Sequence, residues 1–229
     1  METTYSLEKM YTDGQDSINI NEQTNSIYFN AGITASTMSE LTQKLLSMEQ
    51  KILRKQKTLK RKIDEVKKTD GEKDKDKSKT DYDDYEDQFE IKVNPKPINL
   101  YITSNGGYVY QVFGAIDTIR GMKVPVHTIC KGFVASAGTL LSLAGKKRYI
   151  TESSYMLIHE LRAGQWGKFT HLTESLDNSK QLMEHIKNWY LTKTKMTSEE
   201  LEDQLKKDIS WNAQMCLEKG LVDEIIKYQ

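Results

Sequence analysis

The chain has 229 residues, enough to bury a core without disulfide or metal staples, and its 33 basic residues balance 33 acidic ones. That balance gives no reason to expect nucleic acid or an anionic membrane as the main partner. A mean hydropathy of −0.66 with 29% charged residues is more polar than an ordinary globular domain, so some segment must carry the excess.

In chain order, Ser26 to Asn30 reads as a first strand. Ser39 to Met48 then reads as a helix with Leu41, Leu45 and Leu46 on its buried side. The excess charge follows: Lys51 to Glu90 holds 25 charged residues in 40 positions. Its basic half, Lys51 to Lys68, has nine basic and two acidic residues; Thr69 to Glu90 has four basic and ten acidic. Ile52, Leu59, Ile63 and Val66 keep a helical spacing, so the preceding helix is expected to continue as a basic arm, ended by Gly71 and the Lys/Asp alternation after it. Asp70 to Asp87 has little apolar character beyond Tyr82 and Tyr85 and is expected to be mobile, because burial cannot offset its ordering entropy. The stretch suits a solvated spacer or an arm that docks an acidic partner.

Beyond it, short apolar strands alternate with amphipathic helices, the pattern of an α/β domain with a largely parallel sheet. Ile98 to Thr103 is a central strand, followed by the turn Ser104-Asn105-Gly106-Gly107 and a helix carrying Val109, Val112, Phe113, Ile116 and Ile119. Pro125 to Cys130 is the next strand, and Gly132 to Gly138 leads into an apolar helix from Thr139 to Ala144. Tyr149 to Thr151 and Tyr155 to His159 are two further strand candidates, and Thr170 to Lys193 is a helix long enough to project. Thr197-Ser198-Glu199-Glu200 has the form of a capping box, and Gly220 stops a short helix over Ala213 to Lys219.

No apolar run approaches the roughly 20 residues of a membrane span, and Met1 to Met10 lacks a secretory pattern, so a cytoplasmic protein is expected. Cys130 and Cys216 are expected to be buried free thiols. No residue spacing calls for a metal or another cofactor.

Two strand-to-helix junctions present free backbone amides where α/β proteins usually place their active sites. At Gly106-Gly107 the backbone can pass close to a ligand, which suits an oxyanion donor as well as a tight turn. At Ser136 a serine flanked by small residues opens a buried helix, which suits a nucleophile as well as a simple cap. A serine needs a base, and His159 stands at the end of an apolar strand; His127 lies inside a strand, and His171 and His185 lie on a helix. Asp208, in the turn before Trp211, is one of many carboxylates able to orient that base, and spacing does not single it out.

The segments INLYITSNGG (98–107), GFVASAGTLLSLAGKKRYITESSYMLIH (132–159) and KKDISWNAQMCLEKGLVDEI (206–225) resemble the proteolytic subunit family of the Clp protease, ClpP. The resemblance implies a ClpP/crotonase-like spiral of βαβ units with Thr170 to Lys193 as a projecting handle helix. It treats 1–229 as one peptidase domain carrying a charged insertion at about 50–92. It also implies Ser136 as nucleophile, His159 as general base, Asp208 as third member, and the Gly107 and Ala137 amides as the oxyanion hole. The implied activity is a serine endopeptidase, enclosed in stacked heptameric rings and fed unfolded protein by an AAA+ unfoldase ATPase.

The chain departs from the family pattern at Asn105, where Pro is common, and at Glu160-Leu161, where Gln-Pro is common. Glu160 puts a carboxylate beside the base, an arrangement expected to raise the His159 pKa or to alter what binds next to the scissile bond. The competing readings are a viral head-maturation peptidase of the same fold, a non-catalytic ring subunit, and a crotonase-like acyl-CoA enzyme.

Overall fold

A computed structural model describes residues 16–73 and 95–228, with the side chains of 64 and 66–73 left aside. Its centre is a mixed sheet built from β1 (Ser17–Asn21), β2 (Ser26–Asn30), β3 (Ile98–Ser104), β4 (Val126–Ala135), β5 (Lys147–Thr151), β6 (Tyr155–Leu157), β7 (Trp211–Asn212) and β8 (Glu224–Ile226). Six helices accompany it: α1 (Ala35–Lys73), α2 (Val109–Gly121), α3 (Ala137–Ser142), α4 (Phe169–Lys193), α5 (Ser198–Leu205) and α6 (Ala213–Glu218).

The sheet order is β1-β2-β3-β4-β5-β8, with β6 beside β4 and β7 beside β6. From β2 through β8 the main path is parallel. Strands β1 and β2 instead form an antiparallel hairpin, with Asn25 in its turn at φ 50°. This hairpin corrects the reading of Ser26 to Asn30 as the first strand. The run SININ alternates, but its polar positions are mostly Asn, a poor strand former, so its pairing with β2 rather than its own propensity makes it a strand.

Strand β4 is the organising element. Its first half, His127 to Cys130, pairs with β5, while its second half, Phe133 to Ala135, pairs with β6. Gly132 sits between the halves at φ 69°, where an added Cβ would meet only Thr103 Cγ2 at 3.9 Å. The requirement for glycine there is therefore conformational: a left-handed residue lets one strand change partners. The register of β3 against β4 also shifts between Ile102 and Ser104, across from the same bend.

The buried core joins both sheet faces to the helices through residues such as Phe29, Leu41, Leu45, Leu100, Ile102, Val112, Leu140, Ile150 and Tyr190. Burial of each such side chain contributes on the order of 1.5–3 kcal/mol. Near its C-terminal end, α4 is anchored by Trp189, whose indole N–H donates to the Leu140 carbonyl at 3.2 Å, and by Tyr190, whose hydroxyl meets Thr139. Its N-terminal half is largely exposed, and Phe169, Leu172 and Leu176 face solvent there.

Helix α1 starts at Ala35, four residues before the expected start, and continues without a break through Gly71 to Lys73. A glycine in an exposed helix costs only about 1 kcal/mol relative to alanine, too little on its own to stop one. Ile52 packs into the core, and Glu49 accepts from the backbone N–H groups of Lys123 and Val124, so the start of the charged stretch is tied to the sheet-covering layer. Farther out, Leu59 is half exposed. The expectation of mobility over Asp70 to Asp87 lies outside the described residues except for 70–73, which are helical. Both thiols are buried, and burial pushes those of Cys130 and Cys216 up to about 12. Among the described residues no helix is long and apolar enough to cross a membrane.

Candidate active site

The parallel pairing of β4 with β6 matches Ala135 with Leu157, and the ladder continues as the Ser136 N–H donates to the Leu157 carbonyl at 2.9 Å. Ser136 therefore stands one residue past the end of β4, and His159 two past the end of β6, on the same edge of the sheet. Two residues 23 positions apart in sequence are made neighbours by strand register. Both line one cleft of about 310 Å³, together with Asn105, Gly107, Ala137, Glu160, Arg162 and Asp208.

Ser136 occupies φ 54°, ψ −128°, and its side chain makes no capping hydrogen bond to α3. A non-glycine residue there costs on the order of 1–3 kcal/mol, a cost a simple cap would not require. The strain turns the chain sharply from strand to helix and leaves the hydroxyl at the elbow, half-buried in the cleft. Thr139 secures the elbow: its N–H and Oγ1 both donate to the Ser136 carbonyl, at 2.9 and 2.6 Å.

The glycine turn packs directly on this elbow. A Cβ on Gly106 would lie 2.5 Å from the Ser136 Cβ and 3.0 Å from the Ala137 nitrogen. Gly107 is bridged to Ile33 through its neighbours, with Ile33 N–H donating to the Gly106 carbonyl at 2.8 Å and Tyr108 N–H to the Ile33 carbonyl at 2.9 Å. Gly107 itself takes φ +145°, and a Cβ on it would lie 2.2 Å from the Ile33 carbonyl oxygen, so only glycine fits there. Ala137 is the first residue of α3, so its amide has no carbonyl one turn earlier in the helix.

His159 is partly buried, and its Nδ1 is a buried nitrogen without a hydrogen-bond partner. Its pKa is lowered from 6.5, first by burial and then by the Arg162 guanidinium. The Glu160 backbone and the carboxylates of Asp208 and Glu160 act in the opposite direction and are outweighed. The Glu160 carboxylate does act upward, as expected, but it is the weakest of these influences, and burial with Arg162 makes the net shift downward.

Asp208 lies in the cleft on the segment between α5 and β7, yet it is bound to a different partner. Arg162 Nη2 donates to Asp208 Oδ2 at 2.7 Å, and the two side chains are 59% and 48% exposed. Among the described residues no hydrogen bond joins Asp208 to His159, or Ser136 to His159. The three residues share a cleft, but the relay between them is open. Sequence reasoning missed Arg162. Its one local signal was a base followed three positions later by a cation on a segment without regular structure.

The other histidines sit elsewhere. His127 packs on Tyr149 within the sheet, at 5.9 Å between ring centroids, and His185 packs edge-on against Phe113 at 4.5 Å. His171 borders Gly167 at the start of α4. None of the three lines the cleft.

A family model described as Clp protease matches residues 88–229, well over half the chain, and the chain belongs to that family.

Proposed function

We propose that this member of the Clp protease family is a serine endopeptidase whose nucleophile is Ser136, general base His159 and orienting carboxylate Asp208. The observation that carries the reading is the strained, uncapped conformation of Ser136 at a strand end, in one cleft with His159 and Asp208. His159 takes the Ser136 proton as Oγ attacks the scissile carbonyl carbon. The same proton then goes to the leaving amine as the C–N bond breaks, and water releases the acyl group by the reverse use of the imidazole. The Gly107 and Ala137 amides are the donors for the tetrahedral oxyanion, a role supported by the close seat of the glycine turn on the elbow.

Catalysis needs His159 neutral, and its lowered pKa favours that form at neutral pH. It also needs Nδ1–H held by an acceptor, and the unpartnered Nδ1, in the same cleft as Asp208, is the gap that the working enzyme closes. Apo sites often tighten only with substrate bound.

Assembly follows the family. We take the chain as one peptidase domain, with α4 as a handle between stacked heptameric rings in a ClpP/crotonase-like spiral. The exposed Phe169, Leu172 and Leu176 on the outer half of α4 support a partner there. Enclosure in such rings implies unfolded protein as substrate, an AAA+ ATPase as feeder and a cytoplasmic setting. The basic outer part of α1, at the start of the 50–92 insertion, is the candidate docking arm for an acidic face of that ATPase.

A second reading has one observation in its favour. The open relay, with Asp208 held by Arg162, is what a non-catalytic ring subunit would tolerate. Hydrolysis of unstructured fluorogenic peptides by the purified protein separates the two. The peptidase reading expects turnover that Ser136→Ala abolishes; no turnover by correctly assembled wild-type rings supports the non-catalytic subunit.

A further inference from the structure

A second groove of about 350 Å³ adjoins the catalytic cleft and shares Gly107, Val109, Leu161 and Arg162 with it. Tyr108 and Tyr110 line one side, and Ser175, Asn178 and Ser179 of α4 another. Among the described residues, Arg162 is the only charged one lining this groove. A peptide lying across Ser136 and continuing into this groove meets neutral walls and one guanidinium, and that guanidinium is already occupied by Asp208.

We propose that Arg162 is a specificity-determining residue that recognises an acidic side chain of the substrate and, in doing so, releases Asp208 to His159. The inference rests on the peptidase reading above and deepens it. The Arg162–Asp208 pair is solvent-exposed, the kind of ion pair that is weak and easily exchanged. A substrate carboxylate entering the neutral groove offers the guanidinium an equivalent partner in a bidentate geometry. The freed Asp208 carboxylate lines the same cleft as His159, whose Nδ1 is buried and without a partner. Acidic substrates thus complete the relay that neutral ones leave open. Such coupling raises turnover as well as binding, because the contact assembles the catalytic group.

The test uses the full-length assembled protein and paired peptides that differ only by Glu or Gln, scanned through the positions on both sides of the scissile bond. At one position wild type is expected to favour Glu by about tenfold or more in kcat/KM, with part of the effect in kcat. Arg162→Gln is expected to erase that preference and to raise kcat on the Gln peptide, because Asp208 is no longer held. Arg162→Lys retains the cation and is expected to keep a reduced preference. Equal rates for Glu and Gln at every position in wild type, or a preference that survives Arg162→Gln, overturn the inference while leaving the peptidase intact. Absence of both hydrolysis and Ser136 labelling by a fluorophosphonate overturns the peptidase reading, and this inference with it.

Discussion

Arg162 Nη2 lies 2.7 Å from Asp208 Oδ2, so a carboxylate that lines the cleft with His159 is held by a cation carried only three residues beyond that histidine. The same guanidinium and burial together hold the imidazole below its ordinary pKa. One arginine therefore acts on two members of the candidate triad: it occupies the carboxylate and helps to hold the imidazole neutral.

The pH dependence of hydrolysis follows from the sign of these effects. The neutral imidazole is the working form, and its pKa is lowered from 6.5, so the acidic limb of the kcat/KM profile should lie below pH 6.5. Removing the cation favours the imidazolium. Arg162→Gln should therefore move the limb upward, whereas Glu160→Gln, which removes only the weakest of the influences on the imidazole, should move it little and downward. Profiles measured on a neutral peptide from pH 4.5 to 8, with the range set around the His value, check both directions.

Gly106→Ala tests the seat of the glycine turn. The new Cβ would stand 2.5 Å from the Ser136 Cβ and 2.8 Å from the Ala135 carbonyl oxygen, with φ at +93°. Either the elbow or the turn must move, at a cost of about 1–3 kcal/mol. Hydrolysis is expected to fall by about 100-fold or more, the scale of losing one oxyanion donor. Far-UV circular dichroism should stay near wild type, since the change is confined to the junction. Full activity with a normal melting curve would mean that the turn does not position the site.

Arg148 tests the scaffold behind the cleft. Its Nη1 donates to the Lys193 and Gly220 carbonyls at 2.6 and 2.9 Å, and its Nε donates to Asp223 Oδ2 at 3.2 Å, joining β5 to the ends of α4 and α6. Arg148→Met should destabilise by about 2 kcal/mol, mainly by leaving these acceptors unsatisfied. Burial pushes the Asp223 pKa up, but its bonds to Arg148 outweigh that and hold it below 3.8. A depressed carboxylate stabilises above its unfolded pKa, and that contribution is lost as pH falls through the folded value. The gap between wild type and variant in urea denaturation should therefore narrow below about pH 4.

The βαβ alternation, the glycine turn and the elbow serine were legible because each is a local signal: an apolar run, a Gly pair, small residues around one hydroxyl. His159 was legible as the polar end of an apolar strand. The bend at Gly132 was not, because a strand that changes partners within ten residues leaves no mark in its hydrophobic pattern. The β1 strand was hidden by its asparagines and is created by pairing with β2. The Arg162–Asp208 contact was invisible for a related reason: it joins two irregular segments 46 residues apart, and periodicity carries no information about such a meeting. Gly71 by itself does not end α1, which runs through it to Lys73.

The most direct test of the central claim is to treat the assembled wild-type protein with a fluorophosphonate and map the adduct by mass spectrometry of its peptides. The account predicts a single adduct on Ser136, lost in His159→Ala and accompanied by loss of peptide hydrolysis. An unmodified Ser136 in protein that still cleaves peptides, or an adduct on another residue that accounts for the inactivation, would contradict it.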